Sequence, residues 1–210
     1  RMHALVDAAF SGARPLIDDI VAEIAPFGWS NALGAKLVQL TAPGAPDVYQ
    51  GSELWETSLV DPDNRRPVDF ALRREMLAEI DAAFSRGELP AVDTSGRAKM
   101  LLTSRALRLR RDRADLFTIH RPVTAIGAAA AHAVAFDRGG ATTVATRLPV
   151  GLRHRGGWGG TQMLLPDREV VDVLTGRRLA GGAIALSDVL DTYPVALLVD
   201  ARRLEEGSSR

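Results

Sequence analysis

The sequence contains no cysteine. That absence excludes disulfide frameworks, cysteine-bound zinc and thiol catalysis together, and it fits a reducing compartment such as the cytoplasm. Charge of one sign is not in excess either: 26 basic residues face 26 acidic ones, so no overall field gathers nucleic acid or an anionic membrane. Apolar runs fall short of the roughly 20 residues that a bilayer-crossing helix needs. The first residues lack the layout of a signal peptide, since Arg1-Met2-His3 leads into an amphipathic pattern. The histidines are scattered without metal-ligand spacing, and neither metal nor cofactor is expected. What is present, 46% hydrophobic and 25% charged residues over 210 positions, describes a globular chain of one or two domains. The chain begins with Arg, and the expectation is a piece of something longer.

Residues up to about 115 carry helical periodicity. The spacing predicts helices over 2–10, 15–24 and 31–40, separated by Ser11-Gly12 and by Pro26 with Gly28. Asp47-Val48-Tyr49 reads as one buried strand, and Gln50 to Val68 as a long loop. Loops longer than about 12–15 residues are uncommon in compact domains and are often functional. Leu72, Met76, Ile80 and Phe84 form a further helical stripe that Gly87 and Pro90 end. Ala98, Leu101, Leu102, Ala106 and Leu109 form the next. Its arginines, from Arg105 to Arg113, read as a solvated face with local ion pairs; no aromatic residues interleave them to suggest nucleic acid.

From about residue 116 the period changes to that of strands. Val134 and Phe136 alternate up to a turn at Asp137-Arg138-Gly139-Gly140, and Thr142, Val144, Thr146 and Leu148 continue. Further strands are expected at 161–165, 169–174, 183–186 and 194–200, which together indicate a small antiparallel sandwich. Leu204 to Arg210 reads as a frayed polar tail. One short strand among helices has no sheet to join. The helical half is therefore expected to complete a sheet whose other strands lie upstream of Arg1.

Chemistry concentrates between Pro43 and Phe70. Carboxylates (Asp47, Glu53, Asp61, Asp63), aromatic rings (Tyr49, Trp55), amides (Gln50, Asn64) and the guanidinium groups of Arg65 and Arg66 share one irregular segment. Sugar hydroxyls donate to carboxylates and accept from arginine and amides, and a sugar's flat C–H face lies well on an aromatic ring. A plainer reading also fits: Asp61-Pro62-Asp63-Asn64 is a turn, and the arginines make structural ion pairs.

Pro43-Gly44-Ala45-Pro46-Asp47-Val48-Tyr49-Gln50-Gly51-Ser52-Glu53 resembles the eighth barrel strand and following loop of the α-amylase superfamily. The continuation through Leu54-Trp55 and Ser58-Leu59-Val60-Asp61-Pro62-Asp63-Asn64-Arg65-Arg66-Pro67-Val68-Asp69-Phe70 is narrower, and resembles the maltooligosyltrehalose synthase family. The similarity extends in order through Lys99 to Arg111, Gly156-Gly157-Trp158-Gly159, Asp172 to Arg177 and Pro194 to Leu198.

The resemblance implies an α/β plus all-β fold class. Residues 1–115 would be the C-terminal end of a catalytic (β/α)8 or TIM barrel, mostly helices with the last barrel strand. A small antiparallel β-sandwich would follow at 116–203, with the polar tail at 204–210. It implies part of a (1→4)-α-D-glucan 1-α-D-glucosylmutase, an isomerase of trehalose biosynthesis. Such an enzyme turns the reducing-end α-1,4 linkage of maltooligosaccharides into an α,α-1,1 linkage. The family's catalytic carboxylates would precede Arg1, so no residue here is expected to be catalytic and the isolated chain is expected to be inactive. Asp61 and Arg65 would bind substrate, with Tyr49, Gln50, Glu53, Trp55, Asn64 and Arg66 as further lining residues. Expected partners are the maltooligosaccharide, the upstream barrel and the trehalose-releasing hydrolase, without nucleic acid or membrane. Two alternatives stay open, a fragment of an α-amylase-type glycoside hydrolase and a noncatalytic carbohydrate-binding or interaction module.

Overall fold

A single helix, α1, runs from Met2 to Thr41 in the computed structural model, which describes residues 1–207. The three helices predicted here are one, because the breakers act only locally. Proline removes its own donor and crowds one carbonyl, at about 3 kcal/mol, and a mid-helix glycine costs about 1 kcal/mol relative to alanine. The aliphatic residues on either side keep the ladder going through Pro15, Pro26 and Gly28. Only the last third of α1 is buried, through Leu33, Leu37 and Leu40 at helical spacing. Its earlier stripe faces solvent, with Leu5 at 68% and Leu16 at 64% exposure.

Asp47–Tyr49 is not a strand but part of an irregular segment with Val48 and Tyr49 exposed. A strand exists only by hydrogen bonding to a neighbour, and among the described residues no strand pairs with this one. Helix α2, Phe70–Ser85, starts where the Asp69 side chain accepts a hydrogen bond from the Leu72 amide at 2.9 Å. Asp69→Ala is therefore expected to cost about 1 kcal/mol. A urea titration should show a lower midpoint with an unchanged slope.

Helix α3, Arg97–Asp112, buries Ala98, Leu101, Leu102, Ala106 and Leu109. Its arginines are more than a solvated face. Arg105 donates to the Val173 carbonyl at 2.8 Å and lies 4.2 Å over the Phe84 ring. Arg108 forks onto Asp81 at 2.7 Å, and Arg110 donates to the carbonyls of Leu40 and Gly44. A long guanidinium stem reaches carbonyls on neighbouring elements, so these side chains stitch α3 to α1, α2 and the sheet.

The strands are β1 (Arg121–Pro122), β2 (Ala125–Ile126), β3 (Ala133–Asp137), β4 (Ala141–Thr146), β5 (Gln162–Leu164), β6 (Val170–Asp172), β7 (Arg178–Leu179), β8 (Ala183–Ala185) and β9 (Val195–Asp200). Two antiparallel sheets result, six strands in the order β1-β3-β4-β9-β6-β7 and three in the order β2-β5-β8. Short helices α4 (Pro149–His154), α5 (Leu186–Val189) and α6 (Ala201–Gly207) complete the chain. The run expected to continue to Leu148 stops at Thr146. Leu148 has a φ of 50° and Pro149 opens α4, having no amide to extend a ladder. The expected tail from Leu204 overlaps α6, and residues 208–210 lie outside the described residues.

The central pair β4–β9 is buried on both faces. Ala141, Ala145, Val195, Leu197 and Val199 pack with α1 and α3, while Val144, Ala196 and Leu198 pack with Met163 and Ile184 of the smaller sheet. Trp158 packs against this second cluster. Thr143 donates to the Thr41 hydroxyl at 2.8 Å, satisfying a buried pair where helix meets strand. At Gly34, where an added Cβ would lie 3.4 Å from the Thr146 carbonyl, α1 comes close to the sheet. The helical and sheet halves thus share one core, which the change of sequence period near residue 116 does not announce.

Candidate functional site

Pro43-Gly44-Ala45-Pro46 ends helical order, and a 28-residue stretch without α-helix or strand runs from Ala42 to Asp69. Its two halves are held differently. From Gly51 to Glu56 it is pinned to the helices. Glu53 pairs with Arg73 of α2. The Leu54 carbonyl accepts from the Lys99 ammonium at 2.7 Å, and the Trp55 indole donates to the Asp93 carbonyl at 2.7 Å. The Trp55 ring stacks on Trp29 of α1, centroids 6.1 Å apart, with Lys99 5.6 Å over its face. Lys36 of α1 donates to Ser52 at 3.0 Å and to Gln39 at 2.8 Å.

Burial drives the electrostatics of this half. Lys99 is pushed down to about 8 by desolvation, helped by the charge of Lys36 and opposed by Glu56 and Glu53. Lys36 is also held below its ordinary value by burial, opposed by Glu53. A low-dielectric surrounding disfavours the charged form of an amine.

The second half projects into solvent, with Leu59 at 78% and Val60 at 84% exposure. Here a short turn of tight helix, Asp63–Arg65, brings residues four apart to one side. Arg65 Nε donates to Asp61 Oδ1 at 3.0 Å while Nη2 meets the other carboxylate oxygen, so guanidinium and carboxylate lie fork to fork. Asp63 accepts from the Leu59 amide at 2.7 Å, and this bond, ahead of the Arg66 guanidinium paired with it, holds its carboxyl below the usual range. The Asn64 Oδ1 is buried without a hydrogen-bond partner.

The sequence-predicted residues therefore fall into three places. Asp61, Asn64, Arg65 and Arg66 share the exposed tip. Glu53 and Trp55 belong to the pinned half. Tyr49 and Gln50 stand exposed where the segment bends, outside both groups. Sequence reasoning missed Trp29, Lys36, Arg73, Asp93 and Lys99 as neighbours of the loop. One signal was available: Lys36 and Lys99 are the only two lysines in a chain with 26 basic residues. Among the described residues, no three His, Cys, Asp or Glu side chains come together as a group that could hold a metal ion, and no helix is long and apolar enough to cross a membrane.

No family model matches the chain. A Mycobacterium tuberculosis protein described as a maltooligosyl trehalose synthase is 42% identical over 204 residues, 94% of this chain. The solved maltooligosyltrehalose synthase of Arthrobacter ramosus superposes with a TM-score of 0.85 at 54% identity over 90% of this chain. A glycosyltrehalose synthase, DSM5389, superposes with a TM-score of 0.75 at 25% identity over 95% of it. The chain spans 24% of the length of each of these proteins. Its similarity is to the C-terminal part of the synthase.

Proposed function

We propose that this chain is the C-terminal portion of an enzyme of the maltooligosyltrehalose synthase type, one that isomerises the reducing end of maltooligosaccharides by intramolecular transglycosylation. Residues 1–115 would close the catalytic barrel, with Asp47–Tyr49 as its last strand once neighbours are present, and 116–203 would form the accompanying β-sandwich. The observation that carries the reading is the loop itself. A tip that presents the Asp61–Arg65 fork to solvent rises from a base fixed to α1, α2 and α3.

The chemistry gives each part a task. A retaining pair of carboxylates, contributed by polypeptide outside this chain, cleaves the terminal α-1,4 bond and leaves a covalent glycosyl-enzyme. The released glucose must stay, turn, and attack through its anomeric hydroxyl before water does. Asp61 would accept from its vicinal hydroxyls and Arg65 would donate two parallel bonds, each exchanging its present partner for sugar. The exposed stripe of α1, including Leu5, Phe10, Leu16 and Ile20, would be covered by the upstream barrel, since a contiguous apolar patch of that extent marks an interaction surface. A trehalose-releasing hydrolase would act on the product.

Incubation with maltopentaose tests this. The isolated chain should leave the reducing-end signal unchanged, while the full-length enzyme containing it should convert that signal into a non-reducing trehalosyl product. Product from the chain alone would overturn the assignment, and full-length enzyme that releases only reducing sugars would favour the α-amylase-type hydrolase.

A further inference from the structure

We infer that Lys99, seconded by Lys36, is a positioning residue that seats the base of the loop, Ser52–Trp55, beneath the sugar-binding tip. The inference rests on the functional reading above and deepens it. Every other basic residue of the sequence is arginine. The two exceptions are 6% and 7% exposed, come from different helices, and both donate to the same short stretch of loop. Neither is in an ion pair among the described residues: Glu53 is taken by Arg73, and Glu56 accepts from the Ser58 amide at 2.8 Å. Buried cations without a carboxylate are costly, and a chain that otherwise uses arginine keeps them where a compact ammonium fits and a planar fork does not.

The surroundings explain that fit. Gly96, at φ 71°, starts α3 so close to the loop that a Cβ there would lie 3.2 Å from the Trp55 nitrogen. Lys99 stands three residues on, donates to the Leu54 carbonyl and covers the Trp55 ring, while Asp93 holds the indole from the other end. A cavity of about 380 Å³ lined by Ala32, Ala35, Lys36, Gln39 and Lys99 lies beside the two ammonium groups. The base of the loop therefore rests on one helix start and two amines. Only five residues lie between Trp55 and Asp61, so a base that lifts carries the tip with it.

Proton linkage gives this seat a direction. Facing Lys99 are Lys36 from α1 and Glu53 and Glu56 from the loop, with Arg73 of α2 engaged by Glu53. Seated, Lys99 titrates at about 8; freed into water it would return to about 10.4. The seated state thus binds fewer protons between these values, and raising the pH through that window favours seating.

The test is Lys99→Met in the full-length enzyme acting on maltopentaose, with Arg86→Met on the distal end of α2 as control. Two quantities are read: total cleavage, and the ratio of free glucose to trehalosyl product. Lys99→Met should raise the ratio about tenfold while total cleavage per folded enzyme holds, because the cleaving carboxylates lie outside this chain; the control should move neither. An unchanged ratio, or a loss of cleavage in step with product, would overturn the positioning role. Should Lys99→Met fail to fold, the wild-type enzyme decides: its ratio should fall severalfold from pH 7.5 to 9.5, and a flat or rising ratio refutes the proposal. Wild-type enzyme that forms no trehalosyl product at all removes the functional reading itself, an outcome visible before any variant is made.

Discussion

Replacing Arg138 with methionine should destabilise the fold by about 3–5 kcal/mol. Arg138 is buried at the β3–β4 turn, and its guanidinium donates to three backbone carbonyls: Thr41 at the end of α1, and Phe117 and Ile119 on the approach to the sheet. Methionine fills much of the same volume, so the loss is of bonds more than of packing. Each bond to a charged group contributes about 1.5–3 kcal/mol, and three sharing one side chain are not additive. In a chain of this length the change corresponds to a fall in Tm of roughly 6–20 °C. Arg138→Lys should recover part of the loss, since one ammonium cannot point at three divergent carbonyls. A Tm within 2–3 °C of wild type for Arg138→Met would show that water replaces the guanidinium at little cost, and that α1 is not tied to the sheet through this residue.

That expectation comes from contacts between residues 19, 21 and 97 apart, and the same kind of non-local contact decided what the sequence disclosed. The stripes of α2 and α3 were legible because each is a local pattern with a clear end. The turn at Asp137–Gly140 was legible for the same reason, and Asp137 does accept from the amides of Gly139 and Gly140. The continuity of α1 was not, because proline and glycine register in a sequence as punctuation whatever the ladder around them. Nor was the double burial of β4, where Thr142, Val144 and Thr146 read as one face of a strand but all six residues lie inside. Alternation separates two faces; it does not say that both are covered. At the loop, the polar, exposed character of the tip and the turn that pairs Asp61 with Arg65 could be read from residue types and spacing. Its base could not, since Ser52 and Leu54 are held by side chains from α1 and α3 and Trp55 by a backbone carbonyl in the turn before α3, and only the scarcity of lysine hinted at it.

In the full-length enzyme, Arg65→Lys and Asp61→Asn should each raise the ratio of free glucose to trehalosyl product about tenfold or more, with little change in stability. The two halves of that expectation separate function from structure. As seen here the residues are each other's partners, at 67% and 53% side-chain exposure, and an exposed pair of this kind contributes at most about 1 kcal/mol to folding. Thermal melts of both variants should therefore lie close to wild type. Holding a departing glucose is a different demand. A charge-assisted hydrogen bond in a site closed to water contributes about 1.5–3 kcal/mol, and 1.4 kcal/mol is already a factor of ten in the competition between reattack and escape. Arg65→Lys keeps the charge and loses the fork; Asp61→Asn keeps the shape and loses the charge. If the sugar is oriented by paired parallel bonds, Arg65→Lys should fail as badly as Asp61→Asn. Were charge alone sufficient, Arg65→Lys would keep the wild-type ratio while Asp61→Asn lost it. Variants that both retain the wild-type ratio, beside an Arg108→Lys control on α3, would mean that Asp61-Pro62-Asp63-Asn64-Arg65 is a turn whose ion pair ends at its own surface.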